Sequence, residues 1–255
     1  MADYLVFRLY GPLASWGEIA VGESRHSAVY PSKSALLGIL GAAVGVRRDD
    51  DTAQQALFRG YRFGIMLISA GTPLRDYHTV QAPGQLRNVR YRSRRHELAD
   101  KSRLGTLLSA REYRCDSISV VAVEALTGAQ WSLVDLKEAL RHPHFPLYLG
   151  RKSCPPALPL MPQLLSSETL QIALENTTQP SLLALLNQNP EQAWPSVADS
   201  RILRPSAARY YWEDGMDSGM TADMQIMRHD QPLSRKRWQF APRRESVCLS
   251  MEGGQ

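Results

Sequence analysis

Apolar residues along the chain gather into short runs divided by Gly, Pro and polar clusters, and the period of the runs switches between strand-like and helix-like. Tyr4-Leu5-Val6-Phe7-Arg8-Leu9 is β-branched and aromatic and ends at Gly11-Pro12, which predicts a buried strand and then a turn. Residues 13–30 are small and polar and read as a loop. Pro31-Ser32-Lys33-Ser34 supplies a serine cap with proline beside it, so a helix is expected over 35–44, with Gly45 as its stop. The glycines within that helix allow close packing on a sheet. A short second helix is expected over 52–58, a strand over 61–68 and another over 74–80. Residues 117–123 form the clearest strand pattern of all. Trp131, Leu133, Val134, Leu136, Ala139 and Leu140 then recur with helical periodicity, and a last strand is expected near 145–149.

The order strand–helix–strand–strand–strand–helix, with a last strand near 145–149, is read as a βαββαβ pattern and predicts an α+β fold of ferredoxin-like, or RNA-recognition-motif, topology. A segment at about 81–114 is inserted before the clearest strand. Beyond Cys154 the texture changes, because Pro155, Pro156, Pro159 and Pro162 interrupt regular structure. A leucine-rich helical stretch follows at 164–189, with short strand candidates at 208–212 and 246–250. The expected organisation is therefore a ferredoxin-like N-terminal domain over 1–154 and a smaller β-rich C-terminal subdomain over 155–255.

Composition adds little until charge is located along the chain. The 255 residues are 44% hydrophobic and 22% charged, ordinary for a globular protein able to bury a core. No apolar run approaches the roughly 20 residues of a membrane span, and the N-terminus lacks a secretory pattern, so the expected location is the cytoplasm with no membrane partner. Cys115, Cys154 and Cys248 stand far apart with no C-x-x-C pair, which argues against structural zinc and for reduced thiols. The net charge of +5 is distributed unevenly. Residues 85–114 hold nine basic residues against three acidic ones, a net +6, while the rest of the chain, with 21 basic and 22 acidic residues, carries −1. Positive charge concentrated in about an eighth of the sequence is an electrostatic footprint for an anionic partner.

Within that arm Arg87, Arg90, Arg92, Arg94 and Arg95 alternate with Asn88, Tyr91 and Ser93. Guanidinium forks grip phosphates bidentately and stack on bases, and Tyr91 or Tyr113 offers a stacking ring. Five or six phosphate contacts would give a log–log salt slope of roughly −4. Arg75, Tyr77 and His78 place a cation, a ring and a donor–acceptor on one strand, although Arg75 and Asp76 also suit a structural pair. Tyr148-Leu149-Gly150-Arg151-Lys152-Ser153-Cys154-Pro155 sets two cations after a glycine, a weak phosphate-loop signal that is not a Walker A motif. His26, His78, His96, His142, His144 and His229 are the available general bases, and no carboxylate set or catalytic motif accompanies them.

Six strings in order resemble one family: Gly11-Pro12-Leu13-Ala14-Ser15-Trp16-Gly17, the helix opening from Pro31 to Ala42, Arg48-Asp49-Asp50, the run from Leu74 to Val80, Arg111-Glu112-Tyr113 with Cys115-Asp116, and the string from Tyr148 to Pro155. The sequence resembles the CasD family, the single-copy subunits of the type I-E CRISPR surveillance complex Cascade within the RAMP superfamily. The match runs from about Tyr4 to Pro155. This resemblance implies a non-catalytic subunit for antiviral defence, whose inserted thumb grips the 5′ handle of the CRISPR RNA and threads between that RNA and the neighbouring backbone subunit. It implies further contact with the large subunit, target DNA met only through the complex, and no cofactor or metal. By matched position it places handle contacts at Arg25, Tyr77, His78, Arg111, Tyr113, Tyr148, Arg151 and Lys152, beside the thumb arginines 87, 90, 92, 94 and 95. Lys33, at a helix start, is a further candidate, and Trp16 is read as a packing or protein-contact residue. Related subunits in another CRISPR branch cut RNA themselves. That makes a metal-independent ribonuclease, with His78 or His26 as base and Tyr77 or Lys152 assisting, the alternative. A third possibility is a protein scaffold whose arm meets an acidic partner.

Overall fold

The computed structural model describes residues 1–20, 22–84, 90–177 and 208–249. In chain order it contains β1 (Ala2–Ala14), β2 (Trp16–Gly17), β3 (Ser24–Arg25), β4 (Ser27–Ala28), α1 (Lys33–Val44), α2 (Asp51–Gly60), β5 (Tyr61–Ser69) and β6 (Thr72–Pro83). There follow α3 (Arg94–Glu97), a 3-10 turn (Lys101–Arg103), β7 (Leu104–Ala125), α4 (Leu133–Arg141), β8 (Gln163–Ser167), α5 (Leu170–Glu175), β9 (Arg209–Glu213), β10 (Met224–Ser234) and β11 (Gln239–Leu249). The result is a mixed α/β molecule dominated by one nine-stranded sheet. Its main path runs β10-β11-β9-β5-β7-β1-β8, and β3 and β6 both pair with β7 off that path. Every pairing is antiparallel except β3 with β7.

The unbroken apolar character of the first strand follows from its burial on both faces. Leu5, Phe7 and Leu9 pack with Leu36, Leu37 and Leu40 of α1, Leu57 of α2, and Leu136 and Leu140 of α4. Tyr4 and Val6 point the other way, against Leu170, Ala173 and Leu174 of α5 and Tyr210 and Trp212 of β9. The helix starts follow local chemistry. The Ser32 side chain accepts from the Ala35 amide, Gly45 closes α1 in a left-handed conformation, and Ser132 with Asp135 forms a capping box on α4. No helix among the described residues is long and apolar enough to cross a membrane.

Four expectations change. The segment 13–30 is not a plain loop, because it holds β2, β3 and β4. The strand expected at 74–80 extends to 72–83, and its partner is the first half of β7, so it is one leg of the arm. Residues 145–149 form no strand. Pro143 and Pro146 interrupt them, and the strand beside β1 is β8, beyond the proline cluster. Only 170–175 of the helical stretch expected at 164–189 is helix, while 164–167 lies in β8 and 178–189 falls outside the described residues.

Strands from beyond residue 154 join both sides of this sheet, β8 through β1 and β9 through β5. A buried ionic network ties the later strands to the start of α1. Lys33 Nζ lies 2.6 Å from Glu213 Oε2, and its amide donates to Asp230 at 2.8 Å. Arg243 Nε donates to Asp230 at 2.6 Å and its Nη2 to Glu245 at 2.5 Å, while the Tyr30 hydroxyl donates to Glu245 at 2.5 Å. Burial pushes the Glu213 carboxyl upward, and the Lys33 charge opposes that shift. Lys33 is therefore removed from the candidate RNA contacts: it is 6% exposed and its charge is held inside the protein.

Candidate nucleic-acid interface

The 22-residue β7 belongs to two structures at once. Its second half pairs with β1 and β5 inside the sheet, while residues 104–115 pair with β6 in unbroken register from Thr72↔Cys115 to Pro83↔Leu104. On one side of β7 the partner changes from β5 to β6 at Asp116, which has φ 56°, opposite a turn at Gly71 with φ 65°, while β1 on the other side runs on to Arg114. A Cβ on Gly71 would stand 2.2 Å from the Cys115 carbonyl oxygen, so only glycine lets the two legs approach. The Tyr10 hydroxyl reaches Asp116 Oδ1 at 3.3 Å; burial, with Asp116 adding to it, pushes this phenol up to about 12. The arm thus projects from a pinned root.

Alternation along these legs sorts the candidate residues by face. Register pairs Asp76 with Arg111, His78 with Ser109 and Leu74 with Tyr113, so these six share one face. The parallel bridge Arg25↔Arg111 adds the Arg25 guanidinium to it. The Arg151 guanidinium lies 5.1 Å from the Tyr113 ring centroid, so Tyr113 is a buried ring already covered by a cation, not an open stacking platform. Arg25, Arg111, Tyr113 and Arg151 therefore form one contiguous group. Tyr77, paired with Ala110, stands on the opposite face with Arg75 and Glu112 and is exposed. Sequence adjacency had grouped Tyr77 with His78, and the pleat separates them.

Glu112 organises that second face. Its carboxylate accepts from Arg75 at 2.9 Å, pairs with His26 Nδ1 at 3.2 Å and accepts from the Ser27 amide at 3.4 Å. The Arg75 hydrogen bond leads in holding this carboxyl below its usual range. Glu112 was named in the sequence only as part of a motif; the available signal was a lone acid between Arg111 and Arg114.

The loop carrying Tyr148, Arg151 and Lys152 is clamped to the β1–β2 junction. The Ser15 amide donates to the Leu149 carbonyl at 3.0 Å, and the Ser15 hydroxyl donates to the Glu112 carbonyl at 2.8 Å. Gly150 has φ 86°, and a Cβ there would lie 1.9 Å from the Ser15 carbonyl oxygen. The amides of Leu149, Gly150 and Cys154 bond within the loop, which carries the cations Arg151 and Lys152.

At the arm's tip, Ser93 caps α3, and Arg94 pairs with Glu97 at 2.6 Å and donates to the Gln81 carbonyl. Arg94 is accordingly occupied in folding the tip. Arg90, Arg92 and Arg95 are exposed, and among the described residues no carboxylate pairs with them, nor with Arg25, Arg111, Arg151 or Lys152. Arg87 lies outside the described residues. His78 Nδ1 sits 3.1 Å from Asp76. Cys115, Cys154 and Cys248 are free thiols, all pushed up by burial, and the described residues hold no cluster of three metal-ligating side chains. Trp16 is core, at 1% exposure.

Comparison with known proteins places this geometry in a family. The family model described as CRISPR-associated protein (Cas_Cas5) matches residues 4–245. The CRISPR system Cascade subunit CasD of Escherichia coli (strain K12) is 34% identical over 185 residues, covering 69% of this chain and 77% of that protein. A solved chain described as a CRISPR RNA-guided surveillance complex superposes with a TM-score of 0.61 at 22% identity, over 97% of this chain and 90% of that one. Another, described as a crystal structure of a Cas protein, gives 0.54 at 24% identity over 97% and 95%. At those identities the structural likeness speaks for the fold, and the family match speaks for descent. The chain belongs to the Cas_Cas5 family of CRISPR-associated proteins.

Proposed function

We propose that this chain is a non-catalytic subunit of a Cascade-type CRISPR surveillance complex that holds the 5′ handle of the CRISPR RNA at the root of its arm. The observation that carries this reading is the alignment of Arg25, Arg111 and the Tyr113–Arg151 pair on one face of the hairpin. Cations in that arrangement meet successive phosphates and fix the register of a single strand, leaving a few side chains to touch bases. His78 on the same face, and Tyr148 and Lys152 on the adjoining loop, fall within this reading. Arg90, Arg92 and Arg95, with Arg87, would extend the contact toward the arm's tip.

Exposed apolar residues on both faces of the arm, Tyr77 and Leu108 on one and Leu74, Val80 and Leu107 on the other, support a protein neighbour for a hairpin with no core of its own. A backbone subunit meeting Tyr77 would leave Arg111 turned toward the RNA, and the large subunit and target DNA would be met through the same assembly. The order β8-β1-β7-β5, antiparallel throughout, supports a ferredoxin-like core. On that reading the core extends through β8 to about residue 175, beyond the division expected at 154, and β9–β11 widen its sheet.

The test is Arg111→Ala in the assembled ribonucleoprotein. Retained RNA should fall at least tenfold, the remaining RNA should keep its length, and Arg94→Ala should do less. Unchanged retention would remove Arg111 from the site. Cleavage of repeat RNA in chelator that disappears in His78→Ala would replace this reading with the ribonuclease.

A further inference from the structure

The hairpin between β10 and β11 carries a second group of cations around an aromatic ring, far in sequence from the arm. Trp238 is 56% exposed and adopts φ 51°, a left-handed backbone uncommon for a bulky side chain. The Arg48 guanidinium lies 4.3 Å from the ring centroid and that of Arg235 lies 5.9 Å from it. Phe240 stands beside the indole, with centroids 6.2 Å apart. Arg47, Lys236 and Arg237 are exposed in the same two turns, and among the described residues no carboxylate pairs with any of these five cations. Of the nearby acids, Asp50 caps α2 by accepting from the Ala53 amide at 3.0 Å, and Asp51 occupies that helix's first turn.

The platform stands on a fixed support. Gln55 donates to the Leu233 carbonyl at 2.7 Å, and Arg235 donates to the Ser34 carbonyl on α1. One indole amid five cations is the pattern of sequence-tolerant single-strand binding, in which bases stack and phosphates are neutralised.

We infer that Trp238, Arg48 and Arg235 form a second single-stranded nucleic-acid site, separate from the group at Arg25 and Arg111. This rests on the RNA-holding reading above. Arg48 lies over the Trp238 ring as Arg151 lies over Tyr113, but Trp238 keeps 56% of its surface exposed where Tyr113 is buried; one base stacks on the part left open, and Lys236 and Arg237 take the flanking phosphates. The strand is a further segment of the RNA, or a single-stranded segment of bound DNA, since both present the same bases and phosphates.

Ultraviolet crosslinking of the intact complex, loaded with RNA alone and then with a DNA target, separates these cases. The expected result is a crosslinked peptide containing Trp238, alongside crosslinks in the arm-root peptides. Trp238→Ala should reduce the crosslink to that segment about tenfold and expose one nucleotide to nuclease; loss of one stack alone lowers affinity about 5- to 150-fold. Arg48→Ala, on a separate element, should act in the same direction and guards against a local defect of the hairpin. A crosslink appearing only with DNA assigns the site to the DNA strand and sustains the inference. Arm-root crosslinks with none at Trp238, or a Trp238 crosslink to protein only, overturn the inference and leave the handle reading intact. Absence of RNA crosslinks at the arm root would overturn the handle reading, whatever Trp238 does.

Discussion

At Gly150 the backbone sits at φ 86°, and the Ser15 carbonyl oxygen occupies the space a Cβ would need. Gly150→Ala must strain φ and push the loop off the β1–β2 junction, at a cost of about 2–3 kcal/mol in denaturant unfolding, and it should weaken RNA retention by moving Arg151. Lys33→Ala acts differently. It leaves Glu213 buried without its cation, which costs about 3–5 kcal/mol, while RNA retained per folded molecule stays unchanged. A loss of RNA binding without loss of stability would return Lys33 to the surface role its helix-start position suggested. The capping role of Ser32 was readable because a cap is local, within three residues of the amide that donates to it. The role of Lys33 was not, because its partner Glu213 lies 180 residues away and only the folded sheet brings them together.

The arm is an element without a core. A two-stranded ribbon exposed on both faces is marginal in water, so the amides of β6 should exchange rapidly in the isolated chain, while those of 117–124 in the sheet stay protected. Assembly with RNA and the neighbouring subunit should protect β6, and rapid exchange persisting in the complex would contradict a gripping role. Glu112 adds a pH dependence at the root. Its carboxyl is depressed in the folded chain, so the stability it contributes is present above the ordinary carboxylate range and lost as pH falls through the depressed value. A pair this close to solvent contributes under about 1 kcal/mol, and Glu112→Gln should abolish the acid-dependent loosening seen by exchange. Charge density made the arm legible at 81–114, but its outgoing leg begins at Thr72. The pattern at 74–80 looks the same whether its partner is a core strand or an arm strand, so hydrophobic alternation could not settle it. The same limit explains 145–149, where local β propensity yielded to Pro143, Pro146 and the clamp of Leu149 onto Ser15.

At the scale of the molecule, the sheet brings residues from the first 25 positions, the arm and the 148–152 loop to one place. The long β7 is the common support, reaching from the core out to Arg111. The grouping of Arg25 with Arg111 entered the sequence reading through family resemblance, because a two-residue parallel bridge leaves no periodic signal. Binding to single-stranded RNA should show a log–log salt slope near −4, which Arg111→Ala reduces by about 0.7 if one phosphate contact is lost. The central claim is that the chain holds one defined RNA end inside an assembly, and the most direct measurement is to purify it, tagged, from its native host and sequence the RNA that accompanies it. The account predicts short RNAs of uniform length sharing one 5′ end, together with several protein partners, and loss of those RNAs in Arg111→Glu. No RNA, or a random mixture indifferent to Arg111→Glu, would contradict it and point to an arm that meets an acidic protein surface.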